Sequence, residues 1–77
     1  MNPEILGNRI KVLLEIRQIK RAYLAKKMNT SYNTLTKKLQ GKREFDYMDM
    51  VKIVEVLELE PQLIFNLFFN PNFDFNT

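Results

Sequence analysis

The sequence predicts an all-α fold, namely a bundle of five short helices. Apolar residues recur at three- and four-residue spacing along most of the chain, which is typical of helices with one buried face. Helix-capping residues and prolines separate these runs, and no segment has the pattern of a core strand. With 77 residues the chain has room for one domain, which we place at residues 1–69, followed by a phenylalanine-containing tail over 70–77.

The first two predicted helices occupy the N-terminal third of the chain. The first opens with Asn2 as N-cap and Pro3 at the first helical position, where the missing N–H of proline costs no hydrogen bond. It ends near Arg17–Gln18, and the second helix runs from about Arg21 to Met28. The residues expected on their buried faces are Leu6, Ile10, Leu13, Leu14, Leu24, Ala25 and Met28.

A tight turn and a third helix follow. Asparagine tolerates the left-handed conformation that a sharp helix end requires, so Asn29 is expected to stop the second helix. Ser31 is a good N-cap for a helix from Tyr32 to Gln40, and Gly41 is expected to close that helix. The expected inner face of this helix consists of Leu35 and Leu39.

The second half of the chain contains the last two predicted helices. Asp46 is expected to cap a fourth helix, and Asp49 places a second carboxylate in its positive first turn. Glu60 and Pro61 open a fifth. The expected inner faces of the two helices consist of Met50, Ile53, Val54, Leu57, Leu63, Ile64, Leu67 and Phe68.

The composition excludes several kinds of site. The chain has no His and no Cys, which removes thiolate and imidazole metal ligands as well as Ser–His and Cys–His nucleophile pairs. Helix capping and solubility explain the acidic residues of the fourth helix without catalysis. We therefore expect a protein that is not an enzyme and that needs no cofactor, metal or small-molecule ligand.

The sequence also lacks the signals of a membrane or secreted protein. No apolar run reaches the ~18–20 residues that a membrane-spanning helix needs. The N-terminus has neither the basic region nor the long apolar stretch of a signal peptide. We expect a soluble, intracellular protein with no membrane partner.

Charge is distributed unevenly along the chain. Residues 1–43 contain 11 of the 12 basic residues and two acidic ones, whereas residues 44–77 contain one basic residue and seven acidic ones. A basic half of this kind is expected of a protein that binds a polyanion. A solvated surface whose charges are segregated by chance is the alternative, and charge alone does not separate the two.

The second and third predicted helices, with the tight turn between them, form a helix-turn-helix pattern. Ala25 allows the two helices to cross closely, Asn29 makes the turn, and Leu35 closes the small core between them. The sequence here resembles the Cro and phage-repressor type of helix-turn-helix, also called the xenobiotic-response-element type. The resemblance extends over roughly residues 6–66 and rests on the order of Leu6-Gly7-Asn8-Arg9-Ile10, Leu24-Ala25-Lys26-Lys27-Met28, Ser31-Tyr32-Asn33-Thr34-Leu35, Gly41-Lys42-Arg43, Met50-Val51-Lys52-Ile53 and Leu63-Ile64-Phe65. It implies a lambda-repressor-like DNA-binding domain.

Several positions depart from the family pattern. Arg21 stands where the family usually has a glutamine that contacts the DNA backbone, and arginine can make the same contact more strongly. Asn29 and Gln18 replace common glycines. Leu14 and Leu39 stand where many members have an Arg–Glu ion pair, so we expect these two leucines to touch.

The resemblance also implies which residues bind DNA. The third helix would lie in the major groove. Its candidates for base contacts are Tyr32, Asn33, Thr36 and Lys37, and the candidates for contacts with the DNA backbone are Arg21, Ser31, Lys38, Lys42 and Arg43. Lys26 and Lys27 fit a solvated helix face better than a DNA contact, and local packing at the helix start is the alternative for Tyr32.

The C-terminal end predicts a homodimer. One apolar stripe suffices to pack the fifth helix on a small core, which leaves further aromatic residues for a second copy. The expected interface residues are Phe65, Phe68, Phe69, Phe73 and Phe75. Two alternatives stay open: the tail folds back over its own fifth helix, or a short edge strand joins two subunits.

The function that these features favour is sequence-specific regulation of transcription through binding of a double-stranded DNA operator. We expect a Cro-like repressor of a phage, prophage or mobile element that reads an inverted repeat in the cytoplasm of a bacterial or phage-infected cell. The alternative is a helix-turn-helix interaction module that binds and modulates another repressor protein. The basic half favours DNA, since an interaction module has no need of it.

Overall fold

Five helices form the framework of residues 2–75, the part of the chain that this computed structural model describes, and no strand is found there. In chain order they are α1 (Pro3–Arg17), α2 (Arg21–Lys27), α3 (Tyr32–Leu39), α4 (Tyr47–Leu57) and α5 (Pro61–Phe68). The predicted all-α class and the five predicted helices are therefore confirmed. The boundaries of α2 and α3 differ from the predicted ones by one residue at the C-terminal end.

The predicted residues cap the helices. The Asn2 side chain accepts the backbone N–H of Ile5 at 2.9 Å at the start of α1. At the start of α4, Asp46 accepts the N–H of Asp49, while the Asp49 carboxylate accepts the N–H of Asp46. This reciprocal pair satisfies two N–H groups that have no partner within the helix. The Glu60 carboxylate caps α5 at the helix start that the sequence predicts.

A non-glycine residue in the left-handed conformation lies just after the end of α1, α2 and α4. Asn29 follows α2 with a φ of 57°, as predicted from its tolerance of this conformation. Gln18 and Glu58 adopt φ angles of 56° and 50° after α1 and α4. Neither glutamine nor glutamate has a special preference for the left-handed region, so residue type alone does not predict this conformation at either position.

The core lies where α1, α2, α3 and α4 meet, and α5 closes it through Leu67. Its fully buried residues are Ile10, Leu24, Met28, Leu35, Leu39, Ile53, Leu57 and Leu67. Two buried residues were not predicted, because Phe45 and Leu59 lie in connections outside any helical period. Conversely, part of the predicted inner face of α4 and α5 is only partly buried, namely Met50, Val54, Leu63, Ile64 and Phe68.

Gly7 brings α1 close to the end of α3. A Cβ atom at Gly7 would lie 2.8 Å from the carbonyl carbon of Leu39, nearer than side chains pack against backbone. The family resemblance predicts that Leu14 meets Leu39. Both leucines are buried in the same core, and a direct contact between them stays a prediction.

Arg9 fastens the C-terminal segment to α1. Its side chain is 6% exposed and donates to backbone carbonyl oxygens at the end of α5 and beyond. Nη1 donates to Asn66 at 3.0 Å and to Leu67 at 3.2 Å. Nη2 donates to Pro71 at 3.4 Å and to Phe73 at 2.9 Å. One cation therefore satisfies carbonyl groups that the end of α5 leaves without helical partners.

Other aromatic side chains of the predicted dimer interface also pack within the chain. Phe68, Phe73 and Phe75 are partly buried against the core, and their contact with a second copy stays a prediction. The rings of Phe73 and Phe75 pack edge to face with their centroids 4.8 Å apart. The tail does fold back, although it lies beside Ile5, Asn8 and Val12 of α1 instead of covering α5. Residues 76 and 77 of the predicted tail lie outside the described residues.

Candidate nucleic-acid interface

The turn between α2 and α3 has the geometry that the helix-turn-helix pattern predicts. The N–H of Thr30 donates to the carbonyl of Ala25 at 3.0 Å, which closes the end of α2 beside the left-handed Asn29. Ser31 then caps α3, and its hydroxyl oxygen accepts the N–H of Thr34 at 3.0 Å. Ala25 is buried beneath the two helices. Ser31 therefore acts as a helix cap. Its contact with a DNA phosphate stays a prediction.

The two faces of α3 differ sharply in burial. Leu35 and Leu39 are fully buried, which fixes the helix on the core. Tyr32, Asn33 and Lys37 are exposed. Three of the four predicted base-reading residues are thus accessible on a helix whose buried face is anchored.

The fourth predicted base-reading residue is Thr36, which is partly buried and already has a partner. Its hydroxyl oxygen accepts a hydrogen bond from Arg21 Nη1 at 3.2 Å. Cζ of Arg21 also lies 5.8 Å from the centroid of the Tyr32 ring, a cation–π contact. Arg21 therefore connects the start of α2 to two residues of α3. The same contact shows that Tyr32 packs against a basic residue and still keeps about half of its surface exposed, at 52%.

Lys38 lies elsewhere than expected. Its Nζ is 2.5 Å from Oδ2 of Asp49, and both side chains are 11% exposed. The ammonium group of Lys38 therefore joins α3 to the capping box of α4. The family resemblance predicts a contact of Lys38 with a DNA phosphate. Residue spacing alone does not distinguish a position on the α4 side of α3 from an outward one, so this partner needs the fold to be seen.

Lys42 and Arg43, two further residues predicted to contact DNA phosphates, lie shortly after the end of α3. Gly41 has a φ of 80°, and a Cβ atom there would lie 2.8 Å from the Cα of Glu4. The N–H of Lys42 donates to the carbonyl of Lys37 at 2.9 Å, which closes the end of α3. Lys42 and Arg43 come immediately after this closure and are exposed. They are placed at the end of α3 opposite to Arg21.

Several basic side chains make hydrogen bonds or an ion pair within the protein. Besides Arg9 and Lys38, Arg17 donates through Nη1 to the carbonyl of Leu57, which lies at the end of α4. Lys52 has an analogous role, since its Nζ donates to the carbonyl of Met28 at 3.0 Å. Lys38, as described above, is held by its ion pair with Asp49. Within residues 2–75, eight basic side chains make neither an ion pair nor a hydrogen bond to a backbone carbonyl: Lys11, Lys20, Arg21, Lys26, Lys27, Lys37, Lys42 and Arg43.

Residues 2–75 contain no cluster of His, Cys, Asp or Glu that would hold a metal ion. They also contain no helix with the length and hydropathy needed to cross a bilayer.

The pKa of Asp46 is lowered from 3.8, first because its carboxylate accepts the backbone N–H of Asp49 and further because of the charge of Lys38. Both causes act at the start of α4, the first from within that helix and the second from α3.

Comparison with known proteins agrees with this geometry. Searches of curated proteins and of solved structures gave no match. A family model described as "Cro/C1-type HTH DNA-binding domain" matches residues 9–68. The match includes the C-terminal part of α1 and the whole of α2 to α5. Domains of this type are DNA-binding regulators and not enzymes. The resemblance seen in the sequence is thereby confirmed, and the chain belongs to the Cro/C1-type HTH DNA-binding domain family.

Proposed function

We propose that the protein is a sequence-specific regulator of transcription that binds a double-stranded DNA operator with α3 in the major groove. The observation that carries this proposal is the surface of α3, where Tyr32, Asn33 and Lys37 are exposed on a helix anchored by buried leucines. A rigid helix with exposed polar side chains near its N-terminus is the form in which this class of domain reads base edges. The Cro/C1-type match supports the same conclusion.

The chemistry of the exposed side chains fits base recognition. The Asn33 amide offers one donor and one acceptor, which match N6 and N7 of adenine. Lys37 lies one turn further along α3 and carries an ammonium donor suited to O6 or N7 of guanine. We assign direct base contacts to these two residues and to Tyr32, whose exposed ring can meet a base edge or a thymine methyl group.

Basic residues on both sides of α3 supply the contacts with the DNA backbone. Lys42 and Arg43 follow the end of α3, and Lys20 and Arg21 precede the body of α2. None of them has an ion-pair partner among residues 2–75. Their positive charges are available for phosphate oxygens, and such contacts fix the register of a domain on DNA without reading the sequence.

A homodimer completes the proposal. Apolar side chains of α4 and α5 line one surface, which we call the α4–α5 apolar surface: Tyr47, Val51, Val54, Ile64 and Phe69, with Phe65 one helical turn before Phe69. Phe65 and Phe69 are 50% and 67% exposed. We propose that a second copy covers this surface. Two copies related by a two-fold axis would place their α3 helices about 34 Å apart and read an inverted repeat.

The role of a Cro-like repressor of a phage, prophage or mobile element is the finer form of this proposal. We propose that such a repressor acts through its concentration and by competition for the operator. The alternative is an interaction module that uses the α4–α5 apolar surface to bind another repressor protein. The eight cations that have neither an ion pair nor a bond to a backbone carbonyl within residues 2–75 favour DNA, because binding to an apolar partner surface does not need them.

Selection of bound duplexes from a random DNA pool tests the proposal. The expected result is an enriched inverted repeat whose binding weakens steeply with salt, as counterion release requires. Retention on heparin with elution by salt is a rapid preliminary measurement. A protein that enriches no sequence and binds neither heparin nor duplex DNA at low salt would contradict the proposal and favour the interaction module.

A further inference from the structure

Arg21 extends from the first position of α2 onto the exposed part of α3. Its Nη1 donates to the Thr36 hydroxyl at 3.2 Å, and its Cζ lies 5.8 Å from the centroid of the Tyr32 ring. Tyr32 and Thr36 are one helical turn apart and therefore lie along the same edge of α3. The guanidinium is thus held beside the surface that we propose to face the bases.

The guanidinium has donors to spare. Thr36 uses one N–H of Nη1, and the described part of the chain gives Arg21 neither an ion pair nor another hydrogen bond. The edge formed by Nε and Nη2 remains available. Two parallel N–H donors in a rigid plane match O6 and N7 of guanine, the most frequent specific contact in the major groove.

We propose that Arg21 reads a guanine in the operator, so that α2 as well as α3 contributes a base-reading side chain. This inference rests on the proposed DNA-binding function and changes the role that the family resemblance implies for this position, which is a phosphate contact. Thr36 then acts as a positioning residue, because its hydroxyl is occupied by Arg21.

Position and restraint together favour a guanine over a phosphate as the partner. A phosphate can also accept two N–H groups from a guanidinium, so the fork alone does not decide between them. Arg21 is held against Tyr32 and Thr36 of α3, the helix that we propose to lie in the major groove, and this position favours a base. Bidentate recognition of guanine requires the plane of the guanidinium to align with the plane of the base. The Thr36 hydroxyl and the Tyr32 ring restrain Arg21 from two sides and so supply this orientation before DNA binds.

Parallel selections from one random duplex pool test the inference with three proteins: wild type, Arg21→Lys and Arg21→Ala. The wild type is expected to enrich a guanine that both variants accept as any base, since lysine keeps the charge but lacks the fork. Replacing that guanine by 7-deazaguanine removes N7 and leaves base pairing intact. It should weaken the wild type by about tenfold and leave Arg21→Ala unaffected.

Thr36 provides a matched pair of variants. Thr36→Val has nearly the shape of threonine but cannot accept the hydrogen bond from Arg21, whereas Thr36→Ser keeps the hydroxyl. We expect Thr36→Val to lose preference for the same guanine and Thr36→Ser to retain it. Circular dichroism of each variant verifies the fold, and if Arg21→Ala is unfolded, the lysine and valine variants decide the question.

Two results would overturn the inference. One is an unchanged consensus in the Arg21 variants, with affinity reduced equally on all sequences and a smaller salt dependence, which identifies a phosphate contact. In that case the DNA-binding function stands and the guanine contact alone is wrong. The other is a wild-type protein that selects no DNA sequence, which overturns the inference and the proposed function together.

Discussion

Arg9 and Phe73 are joined by two contacts of different kinds, although 64 positions separate them in the chain. Arg9 Nη2 lies 2.9 Å from the carbonyl oxygen of Phe73, and Arg9 Cζ lies 5.5 Å from the centroid of its ring. The same guanidinium also binds the carbonyl groups of Asn66 and Leu67. One buried side chain thus ties the first helix to both the end of α5 and the tail.

The first prediction concerns this buried arginine. Arg9→Ala leaves the carbonyl groups at the end of α5 without their donor, so we expect the free energy of unfolding to fall by about 2–3 kcal/mol. Arg9→Lys keeps the charge but cannot reach all of these oxygens at once, and should fall between wild type and alanine. Urea denaturation followed by circular dichroism measures both changes. A loss of less than about 0.5 kcal/mol in Arg9→Ala would show that the contact is only peripheral.

The second prediction concerns base recognition by α3. Asn33→Ala and Lys37→Ala are each expected to lose about 1–3 kcal/mol of binding free energy on the selected operator and little on random DNA. Lys26→Ala is the matched control, because it removes the same charge from an exposed position on α2. Fluorescence anisotropy on both duplexes gives the comparison. Full discrimination between the two duplexes in both variants would remove Asn33 and Lys37 from the reading surface.

Helix ends and the core were predictable from the sequence because their signals are local. Asn2, Ser31 and Asp46 are acceptors placed just before runs with helical spacing, and each caps the expected helix. The buried leucines of α3 follow from their spacing of four residues. The helix-turn-helix and the exposed part of α3 depend on such local features alone.

The partners of long basic side chains were not predictable in the same way. Lys38 and Arg9 have several rotatable bonds, and their observed partners lie 11 to 64 positions away. Whether such a side chain reaches a carboxylate, a carbonyl group or solvent depends on how the helices cross. Arg21 shows the same limit, since its bond to Thr36 bridges two helices across 15 positions.

The third prediction concerns the residues that follow α3. Lys42→Ala and Arg43→Ala are each expected to reduce the slope of log binding constant against log salt by about 0.9, which corresponds to one phosphate contact. Operator and random DNA should be affected alike, since phosphate contacts carry no sequence information. Binding titrations between low and moderate salt provide the slopes. A variant whose slope equals that of the wild type does not lose a phosphate contact.

The fourth prediction concerns pH. The pKa of Asp46 is lowered in the folded protein, first because its carboxylate accepts the N–H of Asp49. The folded state therefore binds this proton more weakly than the unfolded state. The stabilisation by Asp46 is complete above the ordinary pKa of 3.8 and is lost as the pH falls through the lower folded value.

Asp46→Asn separates the charge from the cap. Asparagine still caps a helix but has no carboxylate to titrate. We expect the wild type to be the more stable of the two at pH 7 and this advantage to disappear towards pH 2–3, below the ordinary pKa of 3.8. Urea denaturation at several pH values measures the difference, and a difference that does not change with pH would exclude the titration of Asp46 as its cause.

The last prediction is that Phe65 and Phe69 hold two copies together. Both side chains are at least half exposed, at 50% and 67%, so their replacement by serine should leave the monomer folded. We expect sedimentation equilibrium at micromolar concentration to show a dimer for the wild type and a monomer for the double serine variant. Ile16→Ser is the matched control, because Ile16 is 60% exposed on α1, outside the α4–α5 apolar surface. On DNA, the double variant should bind a single half-site as well as the wild-type monomer does and lose the added affinity of the inverted repeat. A wild-type protein that sediments as a monomer both free and on DNA would contradict the dimer, and the α4–α5 apolar surface would then be the binding site for a different protein.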